Sequence, residues 1–106
     1  KKFKKKYLII LLIINTSVLL YTNYKKDLYR WSCESENVGP SCLILGRLLE
    51  EEKSYSEALI YFKKSCERKY LAGCKELEKI YFKIKDVVKL KDIQKKICIL
   101  EKKIKC

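Results

Sequence analysis

The stretch CERKYLAGC, Cys66 to Cys74, places two cysteines eight positions apart in a lysine-rich sequence. The same spacing returns in CILEKKIKC at 98–106, and CESENVGPSC at 33–42 is one residue longer. These three motifs contain all six cysteines of the 106-residue chain. Residues eight apart on one unbroken helix lie about 12 Å apart, whereas the Cα atoms of a disulfide lie within about 7 Å. If the cysteines of each motif pair with one another, the chain must reverse inside each motif.

The residues alone leave three states of the cysteines to compare: zinc ligands, free thiols and disulfides. Structural zinc sites favour CxxC-like spacing and often use histidine, which this chain lacks. Six inert thiols in a reducing compartment would not need one repeated spacing. We therefore predict three disulfides in an oxidising compartment, Cys33–Cys42, Cys66–Cys74 and Cys98–Cys106. A small helical domain, with little core of its own, would gain stability from such links.

The N-terminus indicates export. KKFKKK is followed by YLIILLIINTSVLLYTNY, an apolar run over 7–24. Lysines before an apolar run mark a secretory signal peptide or an uncleaved signal anchor. We predict that residues 1–26 form an uncleaved anchor, because a signal-peptide cleavage site needs small residues before the cut and this segment contains few of them. Tyr21 and Tyr24 with Lys25 suit the far membrane interface, and the N-terminal lysines place that end in the cytoplasm.

The net charge of +12 is concentrated in the N-terminal segment. Residues 1–26 hold seven lysines and no acidic residue, and the remainder carries +5 with the two signs interspersed. That remainder lacks the glycine-flanked aromatic motifs of RNA-binding sheets. We therefore predict no nucleic-acid binding, although attraction to anionic lipid or to an acidic partner stays open.

The exported part is predicted to be all-α. One proline and three glycines argue against a chain of hairpins, and apolar residues recur at helical spacing. The predicted helices cover about 18–34, 40–52, 55–69, 72–83 and 87–104. Ser54 with Glu57 forms a capping-box pattern, Asp86 is a candidate N-cap, and Pro40 suits a first helical turn.

The sequence repeats itself when residue 42 is placed over residue 74. CLILGRLL at 42–49 then aligns without a gap on CKELEKIY at 74–81, and Cys66 and Cys74 fall on Cys98 and Cys106. A period of this length, in which one amphipathic helix is joined to a second, is typical of helical solenoids. We expect a partial repeat at 27–41, a full repeat at 42–73 and a degenerate repeat at 74–106.

CLILGRLL at 42–49 and EALIYFKKSCERKYLAGC at 57–74 resemble the cysteine-rich branch of the Sel-one-like repeats, relatives of tetratricopeptide repeats, as in the helicobacter-type cysteine-rich proteins. The resemblance covers about 28–106 and implies a short α/α solenoid of helical hairpins stapled by disulfides. Glu78 replaces Gly46 and Leu90 replaces Ala58 in the second copy, so that copy is expected to pack more loosely or to act as a C-terminal cap.

The resemblance implies a non-catalytic protein-interaction scaffold. From the N-terminal segment we expect this scaffold to be anchored in the inner membrane with its repeats in the periplasm, or to be soluble in the periplasm or secreted if that segment is cleaved. The expected partner is another envelope or membrane protein, with further copies of the chain as another option. We predict no cofactor, metal or catalytic residue. The candidate partner surface comprises Ile44, Arg47, Glu51 and Tyr81.

The alternative function is that of a secreted β-lactamase-like or penicillin-binding protein, a label that some members of the resembled family carry. Such a serine acylase needs Ser-x-x-Lys. None of the seven serines in this chain is followed by lysine three residues later. The residues therefore favour the scaffold.

Overall fold

The computed structural model describes residues 2–103 and 105–106, with side chains from residue 4 onward. These residues form five α-helices, which are α1 (Lys2–Glu34), α2 (Gly39–Glu51), α3 (Tyr55–Glu67), α4 (Leu71–Lys83) and α5 (Val87–Leu100). The all-α prediction is confirmed.

Helix α1 is a single unbroken helix that includes the apolar run and continues into the folded part of the chain. At 1.5 Å per residue its 33 residues extend about 50 Å. Residues Lys4–Glu34 are long and apolar enough to cross a membrane, and the most apolar window is entirely exposed. Only the C-terminal turns of α1 pack against other helices, with Tyr29 half-buried and Cys33 fully buried.

Helices α2 to α5 begin at equal intervals along the chain, at Gly39, Tyr55, Leu71 and Val87. Every one of these helices ends in the same way. After α2, the Lys53 N–H donates to the Glu50 carbonyl at 2.9 Å and the Ser54 N–H donates to the Leu49 carbonyl at 2.9 Å. This pair of bonds is the Schellman motif, which reverses the chain and satisfies carbonyls at the helix end.

The Schellman motif requires a residue in the left-handed region, and lysine occupies that place each time. The φ angles are 64° at Lys53, 63° at Lys69, 58° at Lys85 and 57° at Lys102. Glycine or asparagine is usual at this position. The helix ends therefore carry no glycine signal in the sequence, although their backbone follows one pattern.

The predicted starts of α2 to α5 are confirmed to within one residue, whereas α1 begins at Lys2 rather than near 18, because the apolar run is part of the same helix. One predicted capping interaction is absent. Asp86 precedes α5 and accepts a hydrogen bond from the Lys89 N–H at 3.2 Å. Pro40 lies in the first turn of α2. Ser54 precedes α3 as expected, yet its side chain makes no capping bond, and its ψ of 66° differs from the extended backbone usual for an N-cap. The capping-box hydrogen bond predicted for Ser54 is therefore wrong.

The predicted end of the last helix is also wrong. Helix α5 ends at Leu100 rather than 104, and Ile104 itself lies outside the described residues. The chain turns at Lys102 and returns Cys106 to Cys98, with 5.7 Å between their Cα atoms. A helix through 104 would have kept these two cysteines too far apart to bond.

The core lies where α2 packs on α1, α3 and α4, and α4 packs on α3 and α5. Phe62, Leu45 and Leu49 are its largest fully buried side chains. Gly46 permits the close approach of α2 and α3, since a Cβ there would lie 2.6 Å from Phe62 Cε1. Gly73 plays the same role for α4, where a Cβ would meet the Ser65 side chain.

Successive helices run in opposite directions, so their connections fall at two ends of the folded part. The turns at 35–38 and 68–70 meet at one end, where Ser65 Oγ donates to the Gly39 carbonyl at 3.0 Å. We call this the disulfide end. The turns at 52–54 and 84–86 lie at the other, cysteine-free end. There Lys26 Nζ of α1 lies 2.9 Å from Glu52 Oε1.

Candidate interaction surface

Three disulfides close the helix connections at the disulfide end. They join Cys33 to Cys42, Cys66 to Cys74 and Cys98 to Cys106, with Cα–Cα distances of 4.7, 4.5 and 5.7 Å. The three predicted pairings are confirmed. The first two are buried in the core, whereas Cys98 is half-buried and Cys106 exposed.

Arg68 connects the first disulfide to the turn between α3 and α4. Its guanidinium donates to the Cys33 carbonyl and to Asn37 Oδ1, the latter at 2.8 Å, and it also contacts Cys42 Sγ. Nothing in the sequence marks this cluster, because Arg68 looks like any charged residue of a basic motif. Leu100 occupies the corresponding place in the second unit, so the contact belongs to the first unit only.

Tyr61 of α3 connects to the last turn of α1. Its hydroxyl donates to Glu34 Oε1 at 2.6 Å, and Lys64 lies 3.9 Å from the same carboxylate and over the Tyr61 ring. Burial, together with the hydrogen bond to Glu34, raises the pKa of Tyr61 above its usual value. The tyrosine therefore stays neutral and holds α3 against α1.

Two of the four predicted surface residues lie on one groove between α2 and α4. Arg47 and Glu51 are both exposed and face the groove, which has a volume of about 390 Å³. Its other lining residues are Glu50, Glu76, Lys79, Ile80 and Lys83. We call this the α2–α4 groove. Three acidic and three basic side chains line it, so its charges nearly balance.

The other two predicted surface residues are placed differently. Ile44 is half-buried and does not line the groove. Tyr81 is only 6% exposed and belongs to the core, where burial raises the pKa of its hydroxyl. The prediction that Tyr81 lies on the surface is wrong, because the face of α4 that carries Tyr81 packs against α5.

Glu76 of α4 lies in the α2–α4 groove and contacts two of its basic side chains. Its carboxylate lies 3.3 Å from Arg47 Nη2 and 3.6 Å from Lys79 Nζ, and its side chain is largely covered. The partly exposed pairs contribute little to stability. The contact with Glu76 keeps the Arg47 guanidinium beside α4. Glu51 takes part in none of the salt bridges among the described residues.

A second, more apolar cavity lies at the cysteine-free end. It has a volume of about 630 Å³, and its lining residues are Glu50, Tyr55, Ser56, Ala58, Leu59, Ile80, Lys83 and Ile84. We call it the apolar cleft. The sequence does not mark Tyr55 as part of a cleft, since one exposed apolar residue carries no signal by itself.

Within residues 2–103 and 105–106, the structure brings together no group of three or more histidine, cysteine or carboxylate side chains that could hold a metal ion. Comparison of the chain with protein-family models, with curated proteins and with solved structures finds no match in any of the three.

Proposed function

We propose that this protein is a non-catalytic scaffold, anchored in the inner membrane by α1, whose α2–α4 groove binds a segment of another envelope protein. The observation that carries the proposal is the α2–α4 groove itself. Arg47 and Glu51 stay exposed there on α2, and the charged side chains of both signs that line the groove suit a peptide that carries both signs.

We further propose that the helices form a short solenoid of Sel-one-like repeats. The equal spacing of the helix starts and the packing of α2 against α4 support a hairpin of α2 with α3 followed by one of α4 with α5. The last turns of α1 then act as the second helix of a truncated repeat, since Cys33–Cys42 joins α1 to α2 as Cys66–Cys74 joins α3 to α4.

An envelope location agrees with two independent features. The apolar run at 7–24 has no protein contact that would cover it. Disulfides persist in oxidising compartments such as the bacterial periplasm and are rare in the cytosol. With α1 across the inner membrane and its lysine-rich start in the cytoplasm, all six cysteines lie on the periplasmic side.

Site-specific photo-crosslinking tests the scaffold function. A photoreactive amino acid in place of Glu51 should yield one discrete crosslinked species in intact cells that make the full chain, and mass spectrometry should identify it as an envelope protein. The matched control replaces Lys91, an exposed residue of α5 outside the groove. Absence of a species at position 51, or the same species from both positions, would contradict the proposal.

A further inference from the structure

The turn between α4 and α5 exposes an unusual amount of apolar surface for so short a segment. Phe82 is 71% exposed and Val88 80%, and Ile84 and Val87 are exposed as well. Three lysines alternate with these side chains, at Lys83, Lys85 and Lys89. The one acidic residue between them is Asp86, which lies 3.8 Å from Lys89. We call residues 82–89 the α4–α5 patch.

The opposite end of the folded part differs in composition. The disulfide end presents polar and charged side chains such as Glu36 and Lys69, and its exposed apolar side chains, Trp31, Val38 and Ile99, come from three different segments. A continuous run of exposed apolar residues is therefore a property of the α4–α5 end. Exposed apolar clusters interleaved with lysines are typical of segments that lie in a membrane interface.

Helix α1 fixes which end faces the membrane. Lys26 is bonded to Glu52 in the turn at 52–54, and it follows Tyr24, the end of the apolar run, by only about 3 Å along the helix axis. The headgroup region on each side of the hydrocarbon core is about 5–8 Å thick. The turn at 52–54 therefore lies within headgroup range when residues 7–24 cross the bilayer.

The α4–α5 patch lies at the same end as the turn at 52–54. Ile84 and Lys83 line the apolar cleft together with Tyr55, so the two turns are neighbours. Packed helices are separated by about 8–10 Å, which displaces the patch sideways from α1 rather than away from the membrane. Its lysines also match the negative charge of anionic lipid headgroups.

We propose that the α4–α5 patch docks on the anionic headgroup layer of the bilayer that α1 crosses, with Phe82, Ile84 and Val88 entering the interface. This inference rests on the proposed membrane anchor. The folded region is then attached to one membrane in two ways, by a spanning helix and by a lipid-facing turn. The α2–α4 groove is thereby held close to the lipid surface.

Fluorescence quenching by lipid tests the docking. In a Trp31→Phe background, Val88→Trp gives the full chain a single indole in the patch, and Ile99→Trp places one on an exposed site near the far end of the same helix. Both variants are reconstituted in vesicles of phosphatidylcholine and phosphatidylglycerol with brominated acyl chains. We expect roughly twofold quenching at position 88, because interfacial side chains enter about 5–10 Å into the headgroup–acyl boundary, and little quenching at position 99.

Two further measurements separate the outcomes. Flotation with the vesicles reports the anchor by itself, and circular dichroism confirms that each variant is helical. A chain that does not float overturns both the anchor and the docking, whereas a floating chain with equal quenching at both positions overturns the docking alone. An indole at position 88 that is shielded from aqueous acrylamide but not quenched by bromine would assign the patch to a protein partner or a second copy, and would also overturn lipid docking.

Removing two positive charges from the α4–α5 patch tests whether the docking depends on anionic lipid. Lys83→Gln with Lys85→Gln should reduce quenching at position 88 to the level found in vesicles of phosphatidylcholine alone, because anionic lipid would no longer be attracted. Lys89 is left unchanged, since it contacts Asp86. Quenching that is insensitive both to these substitutions and to phosphatidylglycerol would contradict the anionic specificity.

Discussion

At the scale of single residues, the most informative positions are the lysines that end each helix. Lys53, Lys69 and Lys85 adopt positive φ angles at equal intervals along the chain. A residue with a Cβ is strained there by about 1 kcal/mol relative to glycine. Nothing in the sequence marks these lysines, because lysine is also the commonest surface residue of the chain.

Lys53→Gly is expected to stabilise the protein by about 0.5–1 kcal/mol, since glycine adopts the left-handed conformation without steric cost. The matched control is Lys91→Gly in the interior of α5, where glycine should destabilise by about 1 kcal/mol. Thermal unfolding of the full chain in detergent, followed by circular dichroism, measures both changes. Destabilisation by Lys53→Gly would contradict the strained turn.

Gly46→Ala is expected to destabilise the protein by about 1–3 kcal/mol, because the new methyl group would overlap the fully buried Phe62 ring. Glu78 occupies the equivalent position in the second unit and is half-buried, so Glu78→Ala should change stability by less than about 0.5 kcal/mol. The same unfolding assay applies. Equal effects from the two substitutions would mean that α2 and α3 are less closely packed than the structure has them.

At the scale of the elements, much of the fold could be predicted from the sequence. Helical spacing of apolar residues predicted α2 to α5 and the C-terminal half of α1, and Asp86 and Pro40 marked two of the helix starts. The end of α5 could not be predicted from periodicity, because Ile97 and Leu100 continue an apolar stripe up to the turn at Lys102. The Cys98–Cys106 disulfide does indicate a turn there, because an unbroken helix would keep the two Cα atoms too far apart to bond.

The candidate site was less predictable than the helices. Arg47 and Glu51 could be placed on the outer face of α2 from helical spacing alone. Tyr81 could not, since its burial depends on how α5 folds back over α4. Glu76, which positions Arg47, lies 29 residues away in sequence, and no local pattern joins the two.

Asp86→Ala is expected to cost about 0.5–2 kcal/mol, because it removes the side chain that accepts from the Lys89 N–H at the start of α5. Ser54→Ala should cost less, since the Ser54 side chain makes no capping bond at the start of α3. Unfolding of both variants in one denaturant series compares them directly. A larger effect at Ser54 would indicate that its hydroxyl does cap α3 in solution.

At the scale of the whole molecule, the covalent links are unequally protected. Cys33, Cys42 and Cys74 are fully buried, while Cys106 is exposed near the end of the chain. Exposed disulfides are the more readily reduced. The link that closes the last helix is therefore chemically distinct from the two that join helices in the core.

Graded reduction of the native full chain is expected to open Cys98–Cys106 before the other two disulfides. Alkylation of the released thiols followed by peptide mass spectrometry should label Cys98 and Cys106 at the lowest reductant concentrations. Circular dichroism should remain close to native at that stage, because the core links are intact. Early labelling of Cys66 or Cys74 would contradict the burial of the second link.

The unbroken course of α1 has a mechanical consequence. Its last turns are joined to the rest of the molecule by Cys33–Cys42 and by the contacts of Lys26 and Glu34, so no hinge separates them from the apolar run. With that run across a bilayer, the helix acts as a rigid lever. The disulfide end lies about 15 Å beyond Tyr24 along the helix axis. Spanning helices tilt when lipid thickness changes, and a tilt of about 20° would swing that end sideways by about 5 Å. The orientation of the folded part would thus follow the thickness of the surrounding membrane.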